Sequence, residues 1–373
     1  MDTCDVLIVG GGPAGSACAW ALHRAGVDVV VIDRARFPRD KVCAGWITPP
    51  VVDALGLDTN EYRQGRTFQP FYGFRVGLVG GDRTVETRYG AAVSFGIRRC
   101  EFDEYLLRRS GARLKLGAPA AAIVRDGNGW VVNNAIRAPM LVGAGGHFCP
   151  VARSINRAER PERTDALVVA QEAEFAIDPS DAAALTTAAD MPELYFCRDM
   201  RGYGWSVRKG QYLNVGFGRL DCRSLPRAIA EFVGFLEASG RAAKLRGAPS
   251  RSWHGHAYLV SAAVGRQAVD EGVLLVGDAA GLAYPESGEG IRPAVQSGLF
   301  AARTIIEAAG RYTRERLQAY DTRLRDVFGI GAPVLRAMSQ LVPDAVWTPL
   351  ARRLLASPPF VRHVVLNRGF LRA

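Results

Sequence analysis

Short apolar runs near the N-terminus predict the start of a parallel sheet. Residues 6–9 are apolar, residues 27–32 are apolar except for Asp28 and are followed by Asp33, and small residues over 13–24 predict a helix between the two runs. Uninterrupted apolar runs are typical of strands that are buried on both faces. The pattern therefore predicts a strand–helix–strand unit with parallel strands.

Two later apolar runs belong to the same kind of sheet. Residues 140–142 and 273–276 are apolar, and a glycine-rich turn follows each of them. The chain before the first of these runs predicts a helix over 101–109 and strands over 113–124 and 130–132, and the chain after the second predicts a helix over 290–308. An α/β domain assembled from distant segments follows from this order.

Alternation of polar and apolar positions marks a different region, residues 166–255. Residues 167–177 alternate, and the runs 203–207 and 212–217 flank the turn sequence RKGQ, which predicts a hairpin. A second hairpin is predicted over 74–88, around the sequence GGD. These segments predict an antiparallel sheet inserted into the α/β chain.

Composition excludes several classes of protein. The 373 residues carry a net charge of +10 with a pI of about 9.5, but the basic residues are spread along the chain and only four are lysines. No nucleic-acid-binding motif is present, so we expect no nucleic-acid partner. An anionic ligand or a membrane surface remains as the reason for the charge.

Cysteine usage and the N-terminal residues predict a cytoplasmic protein. The seven cysteines include no CxxC pair, which favours a reducing compartment over a disulfide framework. The acidic N-terminus does not resemble a signal peptide, and no apolar run reaches the roughly 18 residues that span a bilayer. His254 and His256 have no accompanying acidic or histidine cluster, so we expect no metal site.

The first chemical motif is the sequence GGGPAG over residues 10–15. Gly10 permits a tight turn, Gly12 lets the backbone approach a pyrophosphate, and Gly15 lets the helix pack closely on the strand. The helix N-terminus offers free N–H groups to phosphate oxygens. Asp33, at the end of the next strand, is placed to accept a hydrogen bond from a ribose hydroxyl. The motif therefore predicts a dinucleotide cofactor.

The second motif lies some 260 residues further on, in the sequences LVGDAAG (275–281) and PESGEGI (285–291). An acid after a buried strand and a glycine-rich turn before a helix suit a second contact to the cofactor. Asp278 would bond the ribityl chain of a flavin. The helix that starts near Gly290 would direct N–H groups at the ring and stabilise the negative charge of reduced flavin.

These motifs resemble the para-hydroxybenzoate-hydroxylase-like FAD superfamily. Residues 99–103 (RCEFD) are similar to its RxxFD helix start, and residues 141–153 are similar to its GADG segment. Three stretches resemble the geranylgeranyl reductase branch: PRDKVCAG, GYGWSVRKG and GEGI, at 38–45, 202–210 and 288–291. The resemblance implies a non-covalent FAD enzyme with a Rossmann-type domain.

The motifs and the resemblance give a set of candidate residues. Those expected to bind the cofactor are Gly10, Gly12, Pro13, Ala14, Gly15, Asp33, Arg34, Lys41, Cys43, Ala44, Arg99, Gly277, Asp278, Pro285, Gly288, Gly290 and Ile291. Arg34 and Lys41 either neutralise phosphates or lie on the solvated surface. No catalytic residue is assigned. The candidates for a substrate pocket are Cys43, Tyr203 and Trp205, with the buried core as the alternative place for each.

The expected function is hydride transfer from reduced flavin to a double bond of a hydrophobic, prenyl-like substrate. An NAD(P)H- and O2-dependent aromatic monooxygenase is the alternative, and a flavin- or lipid-binding protein without turnover is a third reading. NAD(P)H is the expected reductant. However, Gly145 stands where the superfamily has an acid associated with nicotinamide contacts, which leaves a protein electron donor open.

The predicted division of the chain has three parts. Residues 1–70, 95–165 and 256–330 form a discontinuous FAD-binding domain, and residues 71–94 with 166–255 form a β-rich substrate domain. Residues 331–373 form a C-terminal helical segment broken by prolines, among them Pro333, Pro343 and Pro349. Its arginines and apolar residues suit peripheral membrane contact; the alternative is a helical cap on the FAD-binding domain.

Overall fold

The structure is a computed structural model. It describes residues 1–156, 167–178, 185–220, 222–241, 253–259, 266–329 and 344–372. The predicted helix breaks at Pro333 and Pro343 lie outside the described residues.

Strands and helices alternate along the first part of the chain, and strands dominate the middle. The strands are β1 (Asp2–Thr3), β2 (Val6–Val9), β3 (Val29–Asp33), β4 (Trp46–Ile47), β5 (Gln69–Phe71), β6 (Gly73–Leu78), β7 (Thr84–Arg88), β8 (Ser94–Gly96), β9 (Arg113–Leu116), β10 (Ile123–Asp126), β11 (Gly129–Val132), β12 (Ile136–Ala138), β13 (Met140–Gly143), β14 (Leu167–Ala176), β15 (Glu193–Phe196), β16 (Gly202–Lys209), β17 (Tyr212–Arg219), β18 (His254–Leu259), β19 (Val269–Asp270) and β20 (Val273–Leu275). The α-helices are α1 (Pro13–Arg24), α2 (Pro49–Ala54), α3 (Thr59–Tyr62), α4 (Arg99–Arg109), α5 (Pro150–Ile155), α6 (Leu225–Ala238), α7 (Ile291–Ala308), α8 (Arg314–Leu324), α9 (Asp344–Leu354) and α10 (Pro358–Phe360). Short 3-10 and π-helical turns cover Cys222–Ser224, Gly277–Ala279, Arg325–Gly329 and Val361–Leu371.

The chain forms two compact units, each built from three segments. Unit 1 comprises Met1–Asp40, Cys100–Ala166 and Tyr258–Gly331, and unit 2 comprises Lys41–Arg99, Leu167–Ala257 and Ala332–Ala373. This division differs from the predicted one at residues 41–70 and at the C-terminal segment, both of which lie in unit 2. Unit 2 therefore contains more than the inserted strands.

Unit 1 is built around a six-stranded sheet in the order β19-β20-β13-β2-β3-β9. All its neighbouring strands are parallel except β19 and β20. The strands β2, β13 and β20 are completely buried, as their uninterrupted apolar sequences predict. A separate four-stranded sheet has the order β1-β12-β11-β10. These features confirm the predicted α/β fold class with a Rossmann-type sheet.

Residues 113–124 were predicted as one strand, and this prediction was wrong. The segment contains β9, which pairs with β3 of the large sheet, and β10, which pairs with β11 of the smaller one. The chain turns between them at Gly117, whose φ is +76°. Only glycine adopts this backbone region without strain, and the turn moves the chain from one sheet to the other.

Unit 2 contains a seven-stranded sheet in the order β18-β14-β17-β16-β15-β6-β7, and a three-stranded sheet in the order β4-β8-β5. Both predicted hairpins are confirmed as antiparallel pairs, β6–β7 and β16–β17. The second hairpin is tighter than predicted, because β16 continues to Lys209 and only two residues remain for the turn. The predicted strand over 167–177 is β14, which pairs antiparallel with β17.

The two faces of β16 differ in what covers them. Tyr203, Trp205 and Val207 belong to one apolar cluster, as strand alternation predicts, whereas a Cβ on Gly204 would meet Phe232 of α6 within 2.6 Å. Phe370 from the C-terminal segment packs against Tyr203 with ring centroids 5.3 Å apart. The C-terminal residues thus pack on the sheet of unit 2. Packing on the FAD-binding domain was the predicted alternative to membrane contact.

Pro349 does not break a helix, contrary to the prediction. It lies inside α9, at the sixth residue of the helix as the structure bounds it. The helix continues through Pro349, although proline cannot donate the backbone hydrogen bond that a residue at this position makes.

Candidate cofactor and substrate sites

Three neighbouring parallel strands of unit 1 end at one edge of the sheet, and each is followed by a glycine-rich turn. The ends of β2 and β13 approach so closely that a Cβ on Gly10 would lie 2.3 Å from the carbonyl oxygen of Ala144. Gly10 also has a φ of +117°, which excludes other residues. In open parallel sheets ligands bind outside the carboxyl ends of the strands. The phosphate-binding motif therefore stands at the expected edge.

The loop before α1 leaves open space at Gly12. A Cβ placed on this residue would have Arg39 Nη2, at 3.6 Å, as its nearest described neighbour. Gly12 is the N-cap of α1 and no side chain caps this helix end. The first amide groups of the helix are thus available to an anion. The open space at Gly12, beside the amides at the start of α1, fits the pyrophosphate of a dinucleotide.

The loop holds the carboxylate of Asp33 in place. Its Oδ2 accepts a hydrogen bond from the Gly11 N–H (2.7 Å) and its Oδ1 accepts one from the Ala35 N–H (2.8 Å). Each carboxylate oxygen retains a second lone pair, and the side chain is only partly buried. Asp33 can therefore accept from a hydroxyl group while it braces the phosphate loop.

Sequence reasoning missed Arg39, which lies beside the same loop. Its Nη2 is 3.1 Å from Oδ2 of Asp103, and Asp103 is completely buried. Its Nη1 is buried without a hydrogen-bond partner among the described residues. Asp103 lies within α4 and not at its beginning, so it does not cap the helix. Its carboxylate orients the side chain of Arg39. The signal in the sequence that could have identified Arg39 was its position in the PRDKVCAG stretch.

The second motif lies against the first. A Cβ on Gly277 would be 3.1 Å from that of Ala14 in α1, and the Gly277 N–H donates to Ser297 Oγ of α7 at 2.9 Å. Gly290 caps the N-terminus of α7 without a side-chain hydrogen bond. A Cβ on Gly290 would lie 3.3 Å from Asp278 Oδ1. Unit 1 therefore brings Asp278 to the beginning of α7.

The remaining candidates have mixed surroundings. Arg34 is exposed, and Arg99 is buried at the first position of α4. Lys41 lies in unit 2, where its Nζ is 2.6 Å from Nε2 of His256. The turn at 285–291 approaches Tyr258, whose hydroxyl would be 2.1 Å from a Cβ on Gly288. The cofactor roles of these residues stay predictions.

In unit 2, Trp205 is a hydrogen-bonded residue of the sheet core. It is 5% exposed, and its indole lies on Gly216 of β17, where a Cβ would approach it to 2.1 Å. Its Nε1–H donates to Oδ1 of Asn214 at 2.7 Å. Tyr203 is half-buried, and its ring centroid is 6.0 Å from that of Trp205. Their role in a substrate pocket stays a prediction.

Asn214 belongs to a buried cluster of charged and polar side chains. Its Nδ2 lies 3.1 Å from Glu172 Oε2 and 3.2 Å from Glu174 Oε2. Lys209, which is completely buried, pairs with Glu174 at 2.5 Å, and Arg98 donates to the same carboxylate at 2.8 Å. The motifs gave no sign of this cluster.

The two glutamates of the cluster titrate in opposite directions. Burial raises the pKa of Glu172 to about 7, against the smaller opposing effects of Lys209, the Cys43 backbone and Asn214. Burial also acts on Glu174, but Lys209, Arg98 and Asn214 together outweigh it and lower the pKa of that carboxyl. The difference arises because Lys209 and Arg98 bond Glu174 directly.

Comparison with known proteins supports the same cofactor. Residues 3–67 match the family model of the FAD binding domain. The menaquinone reductase of Mycobacterium tuberculosis H37Rv is 29% identical, with 91% of this chain and 84% of that protein covered. The digeranylgeranylglycerophospholipid reductase of Methanocaldococcus jannaschii is 26% identical, with 87% of this chain and 83% of that protein covered.

Solved structures share the fold. A geranylgeranyl bacteriochlorophyll reductase-like protein from Thermoplasma acidophilum superposes with a TM-score of 0.75 at 20% identity, covering 99% of this chain and 97% of that one. A probable FAD-dependent monooxygenase from Pseudomonas aeruginosa gives a TM-score of 0.65 at 20% identity, covering 88% and 93%.

With the cradle at Gly12, Asp33 and the unpartnered Arg39 nitrogen, these matches define the class: the chain is an FAD-dependent oxidoreductase. More narrowly, it resembles the para-hydroxybenzoate-hydroxylase-like oxidoreductases and, among them, the geranylgeranyl reductases. Within the described part of the chain, no helix combines the length and the apolar character that crossing a membrane requires.

Proposed function

We propose that the chain uses FAD to reduce a double bond of a hydrophobic, prenyl-like substrate. The observation that carries this proposal is the similarity, over most of both chains, to a menaquinone reductase and a digeranylgeranylglycerophospholipid reductase. The molecules in both names carry polyprenyl chains. When bound, FAD supplies the hydride to the substrate after accepting one from a reductant.

The residues of unit 1 divide the work of holding the cofactor. The amides at the start of α1 and the guanidinium of Arg39 would bind the pyrophosphate, and Asp33 would accept from the ribose. Asp278 would bond the ribityl chain, and the N-terminus of α7 would stabilise negative charge on the ring. In unit 2, Cys43, Tyr203 and Trp205 are the proposed substrate residues.

NAD(P)H is the reductant to be tested first, with a protein electron donor as the alternative. Gly145 bears on this choice, because the resemblance places an acid at that position. A Cβ on Gly145 would lie 3.2 Å from both Cα and Sγ of Cys149, which begins α5 as its N-cap. The turn is thus packed around a glycine, and this chain would contact a nicotinamide without an acid at 145.

The deciding experiment is anaerobic stopped-flow of the FAD-loaded protein with NADPH and NADH, followed by addition of a short-chain menaquinone. We expect the flavin absorbance to bleach with one of the nucleotides and to return when the quinone is added. Mass spectrometry of the product, after reoxidation of any quinol to the quinone, should show the gain of two hydrogens in the prenyl chain. Return of the absorbance only in the presence of O2, with one oxygen atom added to an aromatic substrate, would support the monooxygenase instead. Bleaching by neither nucleotide nor a reduced ferredoxin would leave a binding protein without turnover.

Arg39→Met should weaken FAD binding about tenfold, or about 1.4 kcal/mol, because a charge-assisted hydrogen bond to phosphate is lost. The dissociation constant is measured by titrating apoprotein with FAD and following the quenching of flavin fluorescence. The loss should shrink at high salt, since the interaction is ionic.

Arg36→Met is the matched control for Arg39. Arg36 is exposed, and its guanidinium lies beside Gly117. We expect the control to bind FAD with wild-type affinity. Equal dissociation constants for the two variants would remove Arg39 from the phosphate site.

The exposed face of α9 is a proposed membrane contact. Val346 and Leu350 are 59% and 42% exposed one helical turn apart, and Arg353 is exposed on the next turn. An apolar stripe beside cations suits an anionic lipid surface. Leu350→Asp should reduce co-sedimentation with phosphatidylglycerol vesicles at low salt about tenfold. Val124→Asp, at an equally exposed valine of unit 1, should leave co-sedimentation unchanged. Equal binding of both variants would exclude α9 as the contact.

A further inference from the structure

The segment Cys43–Gly45 has almost no regular structure, yet side chains of the large sheet bind its backbone. Asn214 Nδ2 donates to the Cys43 carbonyl at 3.3 Å, and Lys209 Nζ donates to the Ala44 carbonyl at 3.2 Å. The Cys43 N–H favours the charged form of the Glu172 carboxylate. Three consecutive peptide groups thus interact with three side chains, which come from β14, β16 and β17.

Lys209 reaches this segment through space that glycine leaves open. It also donates to the Ile97 carbonyl at 3.0 Å, and a Cβ on Gly45 would come within 2.5 Å of its Nζ. Gly45 has a φ of +71°, so the residue is required both for the backbone and for the passage of the lysine. Lys209 and the segment therefore fit together at one position.

The orientation of Asn214 is fixed by Trp205. Because the indole N–H only donates, the atom of Asn214 that it contacts must be the amide oxygen. The amide NH2 group is then turned toward Cys43 and the two glutamates. The tryptophan of the GYGWSVRKG stretch thus sets the direction of a hydrogen bond to the neighbouring segment.

Burial of two carboxylates and an ammonium group costs free energy, and apolar residues of the same size would fill the space at less cost. Ordinary backbone pairing could hold a loop without charges. A satisfied polar network does what apolar packing does not: it fixes a segment in one conformation. The Cys43 thiol, half-buried, belongs to this segment, and its Sγ accepts from the Gly45 N–H at 3.4 Å.

We propose that Glu172, Lys209 and Asn214 are positioning residues that hold the backbone of Cys43–Gly45 and thereby fix the Cys43 thiol. Glu174 pairs with Lys209 at 2.5 Å, and Arg98 donates to the same carboxylate at 2.8 Å. This inference deepens the proposed function, in which Cys43 is a substrate residue, but it can be tested without a substrate. The cluster would determine how precisely that side of the substrate is placed.

The test is the rate at which iodoacetamide alkylates Cys43 in the FAD-loaded protein, followed by peptide mass spectrometry. Cys100, also half-buried, is the internal reference. Asn214→Ala should raise the Cys43 rate about tenfold, the equivalent of one lost hydrogen bond, and leave the Cys100 rate within about twofold. Trp205→Phe, which removes the indole N–H together with part of the ring system, should act in the same direction with a smaller effect.

Two results would overturn the inference: unchanged Cys43 rates in both variants, or equal acceleration of Cys43 and Cys100, which indicates general loosening. If Asn214→Ala does not fold, Trp205→Phe decides. Turnover gives the second readout, since kcat should fall more than KM rises when the segment is loosened and FAD remains bound. Absence of turnover in the wild type would reject the proposed function and leave the alkylation result standing.

Discussion

Gly12→Val should yield a folded protein that has lost FAD. Gly12 has a φ of −72°, which valine also adopts, so the backbone is not strained by the change. The valine methyl groups would occupy the space at the start of α1 that is open to a phosphate. We expect affinity to fall at least about 100-fold, or about 2.8 kcal/mol. FAD content after purification and fluorescence titration of the apoprotein measure the loss.

Gly90→Val is the matched control for this variant. Gly90 is exposed, and a Cβ there meets no described atom within 4 Å. The control should retain FAD as the wild type does. Circular dichroism of Gly12→Val should match that of the wild-type apoprotein. Stoichiometric FAD in Gly12→Val would contradict the assignment of the phosphate cradle.

Glu172→Gln should make the protein more stable at pH 8 but not at pH 4.5. The folded state raises the pKa of Glu172 from 4.5 to about 7, so it favours the protonated carboxyl. The stability that this group contributes is fully present below about pH 4.5 and is lost as the pH rises through 7. Glutamine stays neutral, so the advantage of the variant should grow to roughly 3 kcal/mol above pH 7. Urea unfolding between about pH 4 and pH 8 measures it.

Glu174→Gln is the matched control with the opposite sign. Lys209 and Arg98 lower the pKa of Glu174, so its stabilising effect is present above about pH 4.5 and is lost in acid. The variant should be less stable than the wild type at pH 7, and the deficit should shrink below pH 4.5. A pH-independent difference for Glu172→Gln would show that Glu172 titrates normally.

The first βαβ unit was predictable because local signals agree there. The apolar runs, Pro13 at the first helical position and Asp33 after β3 all indicate the same arrangement, and α1 has the predicted bounds. The prediction of a single strand over 113–124 was wrong because the local signals disagree there. The apolar content of this segment continues across Gly117, but the left-handed turn at this residue sends the two halves to different sheets.

The polar cluster could not be predicted from the sequence. In β14 the glutamates alternate with apolar residues, a pattern that is typical of a solvent-facing side. Glu172 is nevertheless only 7% exposed. Asn214 donates a hydrogen bond to it, and Lys209 pairs with the nearby Glu174, so residues of other strands satisfy both carboxylates. Partners that lie 35 or more positions away in the sequence produce no local pattern from which the contact could be predicted. The same holds for Arg39 and Asp103, which belong to separate motifs and meet only in the fold.

Close contact between α1 and α7 governs when the protein can acquire its cofactor during synthesis. A Cβ on Gly298 would lie 2.3 Å from the carbonyl oxygen of Ala14, so the two helices touch backbone to backbone. The ribosome delivers α1 first, then most of unit 2, and α7 last among these. Since domains fold when their residues have emerged, α1 can pack against α7 only after the roughly 270 residues between them have been translated. A nascent chain that is stalled before α7 therefore carries an unfinished FAD site, and flavin loading belongs to the end of translation.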